Sequence, residues 1–265
     1  LKTIPSSVIN NSELEDQILA EIDKLEKKIV KASSQEISER KLIQFKGYVD
    51  VKGLLSGTLK KLGNLFVRVF SGKKVNKFAD KFLLRGVDDF EKETGIDVLG
   101  DKFSKEDIIS SEQAKTMKKD LIQYIQDLNT RIVTNSSKAI SQGILNGESL
   151  SQIVTRVRKV IKKEKNHAKT MVRTEAANLV NKGEFLAAKK SGLRLRKYVD
   201  VTLDNRTSKI CERMHTKYGS PEKSIPIDKM FRTQDGAWMT PPFHPNCRTN
   251  LIYITQEEYK RSKKS

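Results

Sequence analysis

The sequence predicts a mainly α protein, with a long N-terminal helical region followed by a small α+β C-terminal module that carries a candidate Cys/His zinc site. Three observations predict this. Apolar residues recur at spacings of three and four in several long stretches before residue 190, the period of an amphipathic helix. Alternating segments separated by Pro- and Gly-containing loops come only after it. Four of the five Cys and His residues, Cys211, His215, His244 and Cys247, fall in one window of 37 positions.

The elements follow in order. Ser12 with Glu15 is a capping-box signature, and Leu14, Ile18, Ile22, Leu25 and Ile29 form the apolar stripe of a helix expected to reach about Phe45. Gly47, Gly53, Gly57, Gly63 and Gly72 then punctuate short apolar runs such as 65–70, predicting short helices, with a hinge near 47–72 as the alternative. Residues 78–84 look helical. Ser104 with Asp107 opens a second helical region that keeps its period from Ile122 to Leu145 and stops at Gly147. Ser149 is placed to cap a helix with the stripe Ile153, Val157, Val160 and Ile161, and a further helix is predicted over His167–Lys190, ending at Ser191-Gly192. Residues 197–203, 236–239 and 249–255 read as strands. The predicted organisation is a helical region 1–148, an α+β module 149–255 and a basic tail 256–265 whose closing K-R-S-K-K-S is expected to be disordered.

Length and composition suit this division. A chain of 265 residues can bury a real core without disulfides, and a charged content of 32% suits exposed helices. Two cysteines and the absence of a signal-peptide pattern point to a reducing compartment. The chain opens on Leu1 rather than Met, which fits either a removed start or numbering that begins inside a longer chain. No apolar run approaches the roughly 20 residues that span a bilayer, so no membrane span is expected.

Charge is unevenly placed. Residues 1–150 hold 25 basic and 22 acidic residues, net +3, whereas residues 151–265 hold 26 and 11, net +15. Such asymmetry points to an anionic partner, usually nucleic acid, with a solvated basic surface as the plainer alternative. The candidate contacts are Arg156, Arg158, Lys159, Lys162, Lys163 and Lys165, on the polar face of the Ser149-capped helix. No base-reading motif accompanies them, so contact with double-stranded DNA would be to phosphate, without sequence preference.

Cys211 and His215 are four apart, and therefore neighbours on a helix; His244 and Cys247 share a tight turn restricted by Pro245. Two such pairs can close a tetrahedral Cys2His2 site holding a structural zinc. A metal-free packing network, a Cys211–Cys247 disulfide and a catalytic Cys thiolate with a His base remain open alternatives. A second cluster, D-N-R-T-S-K-I-C at 204–211, suits a turn leading into a helix capped by Thr207 or Ser208. Arg206 and Arg248 can pin Asp200, Asp204 or Glu175 in bidentate pairs. An ion-pair scaffold of Arg173, Glu175, Asp204, Arg206 and Arg248 is favoured over a catalytic role for Arg173, Glu175 and Asp204.

Taken in order, V-R-T-E-A-A-N at 172–178, D-N-R-T-S-K-I-C at 204–211, His215 and P-P-F-H-P-N-C-R at 241–248 resemble the Mu-F-like family of tailed-phage minor head, or head-morphogenesis, proteins. Two departures stand out: Tyr198 occupies a position where many relatives carry Trp, and T-K-Y-G rather than Gly alone follows His215. The resemblance implies a low-copy structural protein of the virion, associated with the portal vertex and head assembly, with portal and capsid proteins as partners. It also implies a passage through the host cytoplasm during assembly, and some relatives bind DNA or leave with the genome. The contrasting reading is a zinc- or Cys/His-dependent enzyme, a nuclease or effector, built on the 211–247 cluster.

Overall fold

The computed structural model describes residues 12–39, 72–99 and 103–264. The glycine-punctuated stretch and its predicted hinge up to residue 71, and residues 40–45 of the first predicted helix, lie outside these residues, as does the Ser12/Glu15 capping pair at the level of side chains; Gly72 begins a described helix. The helices are α1 (Ser12–Glu39), α2 (Gly72–Thr94), α3 (Lys105–Ile109), α4 (Glu112–Leu145), α5 (Leu150–Lys190), α6 (Lys209–Tyr218) and α7 (Gln256–Ser262). The strands are β1 (Leu195–Asp200), β2 (Ile225–Pro226), β3 (Phe231–Thr233), β4 (Gly236–Trp238) and β5 (Asn250–Thr255). The mainly helical architecture with a small strand-containing C-terminal module is as the sequence predicts. No described helix is long and apolar enough to cross a membrane.

Residues group into two compact units, one drawn from Ser12–Val75 and Lys119–Thr170, the other from Asn76–Lys118 and Met171–Ser265. The first is helical. Ile18, Ile22, Leu25 and Ile29 of α1 are buried, as are Leu121, Ile125, Leu128, Ile132 and Ile140 of α4 and Ile153, Val157 and Ile161 of α5. Burial of most of each stripe is the physical reason for these helices, since hydrophobic transfer outweighs their polar composition; Val160 is only partly buried and Leu145 is exposed. The connection from α4 to α5 is a Schellman turn: Gly147 has φ 68°, and the Glu148 N–H reaches the Gly143 carbonyl at 2.9 Å. Ser149 and Gln152 then cap α5 reciprocally, at 2.7 Å from the Ser149 N–H to the Gln152 side chain and 3.4 Å in return.

The second unit is the mixed one. Its sheet has the order β2-β1-β5, all antiparallel, with Leu195 opposite Thr255 and Asp200 opposite Asn250. A separate hairpin pairs β3 with β4. Alternation sends Leu195, Lys197 and Val199 inward to meet Phe90, Leu186, Met214, Phe231, Phe243 and Leu251 in one core. Lys197 is the exception in that company. It is fully buried, donates to the Met239 carbonyl at 2.6 Å and lies 5.0 Å from the centroids of both Phe185 and Phe231. Burial, with Lys182 nearby, pulls its pKa down to about 7.

Four expectations about the elements are corrected. The two helices predicted over 149–190 are one, because K-E-K-N-H-A-K contains no Gly or Pro to break it. The region opened by Ser104 is interrupted: the capping box forms, but α3 ends at Ile109, and Ser111 begins α4 by accepting the Ala114 N–H at 3.2 Å. The strand predicted over 197–203 starts two residues earlier, where pairing with β5 holds it. Part of the tail expected to be disordered is helix α7, secured by a Thr255/Glu258 capping box.

Within this unit α2 and α5 approach backbone to backbone through two glycines. A Cβ on Gly86 would lie 2.1 Å from the Val180 carbonyl oxygen, and one on Gly183 would lie 2.1 Å from that of Leu83. Neither oxygen can retreat without bending its helix. We expect Gly86→Ala to destabilise the protein by about 1–3 kcal/mol, the range for overpacked cores. Gly72→Ala, whose Cβ meets only the Ile122 side chain at 3.5 Å, should melt near the wild type, with circular dichroism against temperature as the measurement.

Candidate metal centre

Three chain segments build this site. The first is the turn before α6, where the Arg206 N–H donates to the Asp204 carboxylate at 2.8 Å and the Thr207 hydroxyl donates to the Thr202 carbonyl at 2.8 Å. Ser208 is the N-cap, accepting the Cys211 N–H at 3.2 Å, which sets Cys211 in the first turn of the helix. The second is P-P-F-H-P-N-C-R, which opens on a cis Pro241-Pro242 bond and turns through Asn246 at φ 57°. Asn246 donates its N–H to Thr174 Oγ1 at 3.0 Å, fastening the loop to the third segment, the R-T-E stretch of α5. Arg248 then grips Asp204 with two bonds of 2.7 and 2.6 Å.

These constraints bring Cys211, His244 and Cys247 together. Their ligand atoms all lie within 4.8 Å of one another, as a group that could hold a metal ion. The two sulfurs are 3.6 Å apart, and Cys211 Sγ is 3.1 Å from His244 Nε2. Both cysteines are free and buried, and His244 is half-buried. His244 Nδ1 lies 2.7 Å from the Pro245 carbonyl, which can only accept, so the ring carries its proton on Nδ1 and turns a bare Nε2 toward the thiols. Ser208 Oγ is 2.8 Å from that Nε2, and the Thr249 hydroxyl is 3.2 Å from Cys211 Sγ.

Electrostatics separates the thiols. Cys247 is pulled down by the hydrogen bond from Cys211 and by the N–H groups of Phe243 and Thr249, while Cys211 is pushed up by that same bond and by burial. The pair therefore holds a proton between the sulfurs, with Cys247 the first to become thiolate.

The remaining predicted residues fall as follows. His215 stands outside the group, although it follows Cys211 by one helical turn: its Nδ1 is buried without a hydrogen-bond partner, against Gly219, where an added Cβ would lie 2.5 Å away. Arg206 is a looser second partner of Asp204 at 3.6 Å. Glu175 accepts from Asn178 at 3.2 Å, and Arg173 is exposed on the same helix. The six cations of α5 do not form one patch. Arg156 is held by Glu148 at 2.5 Å, Arg158 lies 3.7 Å from Glu26, and Lys165 contacts Asp23 and Glu26. Lys159, Lys162 and Lys163 are exposed, with no carboxylate partner among the described residues. Sequence reasoning missed Thr174 and Asn246 as the fastening between segments, and Thr249 beside the sulfur. The first two lie inside the quoted motifs, which was the available signal.

Fold and site together define a helical protein whose C-terminal module is pinned around a metal-competent Cys/His cluster. Residues 134–252 match the family described as Phage Mu protein F like protein, the same family that the ordered motifs resemble. It is also similar to the minor head protein GP7 of Bacillus phage SPP1, 27% identical over 147 residues, covering 52% of this chain and 46% of that protein. The matched part thus spans about half the length of that relative. No solved structure matches the chain.

The Asp204–Arg248 pair carries a pH signature. The guanidinium of Arg248, helped by the Arg206 N–H, holds the Asp204 carboxyl well below its usual range. A carboxylate depressed on folding adds stability that is fully present above its unfolded pKa of about 3.9 and is lost as pH falls further. Asp204→Asn should therefore lower the melting temperature at pH 6, and the gap from the wild type should narrow between pH 4 and pH 2.

Proposed function

We propose that this protein is a minor head protein of a tailed-phage particle, present in low copy and acting in head morphogenesis. The match of residues 134–252 to the Mu F-like family carries this reading. The organisation proposed is a helical region 1–148 that contacts portal and capsid proteins, an α+β module 149–255 and a short basic segment 256–265. The chain works in the virion, at the portal vertex, after assembly in the host cytoplasm, and some of it leaves with the genome.

Zinc is the metal that the donor set fits. Two thiolates and an imidazole suit a borderline-soft ion, and their separations approach the edges of a zinc tetrahedron, about 3.8 Å for two sulfurs and about 3.5 Å for sulfur and nitrogen. The ion staples the 204–211 turn to the 241–248 loop. The competing reading, a Cys/His-dependent enzyme, has the 3.1 Å approach of Cys211 to His244 in its favour. Against it, Cys211 is the thiol held protonated, and His244 Nδ1 is committed to a backbone carbonyl rather than to an orienting acid. We therefore read the protein as non-enzymatic.

DNA contact falls to the exposed lysines of α5, supported by the net +15 of residues 151–265. Arg156, Arg158 and Lys165 serve mainly as internal struts.

Quantitative mass spectrometry of purified particles, before and after genome ejection, tests the central reading. We expect the protein in particles at a small fraction of the major capsid protein, and reduced after ejection. Absence from particles would leave only an assembly role or the enzyme reading. Replacing Lys159, Lys162 and Lys163 by Ala should weaken duplex binding equally on unrelated sequences. The same change should flatten its salt dependence by about one unit of slope for each phosphate no longer neutralised, measured by fluorescence anisotropy. Unchanged binding would remove these lysines from the interface.

A further inference from the structure

The zinc donors named above number three, and the arrangement beside them bears on the fourth position. His215, the expected fourth ligand, is turned against Gly219. Ser208 is held in place by capping Cys211, with its Oγ 2.8 Å from His244 Nε2. Because His244 Nδ1 bears the ring proton, Nε2 is the acceptor and the Ser208 O–H the donor. A metal that takes the Nε2 lone pair deprives that hydroxyl of its acceptor. The Ser208 O–H is then left at the edge of the coordination sphere, able to donate to whatever occupies the fourth vertex. A neutral alcohol is not among the usual zinc donors, which are Cys, His, Asp and Glu. Solvent can reach this side, because His244 is half-buried while Pro245, Asn246 and Arg248 around it are exposed.

We propose that the Cys211–His244–Cys247 centre is a three-ligand zinc site whose fourth position is exchangeable, filled by water or a small monodentate anion hydrogen-bonded to Ser208. This rests on the zinc reading. The centre staples the two segments and also presents one accessible Lewis-acid vertex, which a closed structural site lacks.

Cobalt(II) substituted into the full chain tests this, because its visible bands report coordination number and its near-ultraviolet charge transfer reports bound thiolate. We expect one cobalt per chain with thiolate charge transfer, and a saturable shift of the visible bands on titration with sodium azide. Ser208→Ala should keep the cobalt spectrum and weaken azide binding about ten- to a hundredfold, the loss expected for a hydrogen bond to a charged ligand. His215→Ala should leave spectrum and azide affinity unchanged. Wild-type bands that ignore azide would overturn the proposal. So would a Ser208→Ala or His215→Ala protein whose azide-free spectrum loses its four-coordinate bands, since that residue would then be the fourth ligand. Equal azide affinity in wild type and Ser208→Ala would overturn the role of Ser208. Failure to bind cobalt or zinc at all would instead remove the zinc reading, and this proposal with it, while leaving the minor head protein reading untouched.

Discussion

The C-terminal module depends on one constraint: segments far apart in sequence must be held against each other at the Cys211, His244 and Cys247 cluster. Cys211 and Cys247 are 36 residues apart, and Thr174 and Asn246 are 72 apart. Closing such loops costs chain entropy that short strands repay poorly, and β2, β3 and β4 are only two or three residues long. The closure is therefore secured by contacts of several kinds. They include the Asp204–Arg248 fork, the Thr174–Asn246 bond, Ser208 bridging Cys211 and His244, and the aromatic run Tyr218–Phe231–Phe243–Trp238 beneath. A metal held at the cluster would act on the same term. Treated as a cross-link across that loop, it removes about 4 kcal/mol of unfolded-chain entropy in the chain-entropy model.

The same logic explains why the basic helix does not behave as one basic surface. A helix that buries one stripe projects its other side chains in several directions, and each meets a different neighbour. Arg158 and Lys165 face the carboxylates of α1, and Arg156 folds back onto Glu148 at the start of the hairpin. In the same unit Glu164 is buried, yet it is compensated by Arg131 at 3.2 Å and Asn135 at 3.3 Å. Net charge read from sequence therefore overstates the charge available to a partner. What remains on this face is a short run of exposed lysines, and such a run is suited to phosphate rather than to base edges.

The helices were legible because their signal is local. The stripe Ile18, Ile22, Leu25 and Ile29 is buried as its spacing predicts, and Ser104 caps with Asp107 as predicted. Boundaries were less legible, because the helical region opened by Ser104 holds no Gly or Pro before Ile122, yet Ser110-Ser111 breaks it. Strands β2 and β3 escaped notice, being too short for alternation to register. At the site, chemistry identified the residues, and spacing paired Cys211 with His215 and His244 with Cys247; the structure joins Cys211 to the second pair. The position of His215 was not readable, since two residues four apart share a helix face whether or not both rings turn the same way. Lys197 was readable in principle: alternation places it on the face of Val199, where a lysine is out of character.

Why these motifs belong together follows from what each one touches. The R-T-E stretch supplies Thr174, which accepts the N–H of Asn246 and so fixes the position from which His244 and Cys247 project. The D-N-R-T stretch supplies Asp204 for Arg248 and, through its turn, delivers Ser208 and Cys211. The P-P-F-H-P-N-C-R stretch supplies the two remaining donors and both fastenings. Asn246, at positive φ, suits a residue whose short polar side chain tolerates that conformation. Each block is incomplete alone, because its polar groups find their partners in the other two. An ordered set of weak motifs is therefore more informative than any member: the order records a closed network of contacts, and the network converges on the same three ligand atoms.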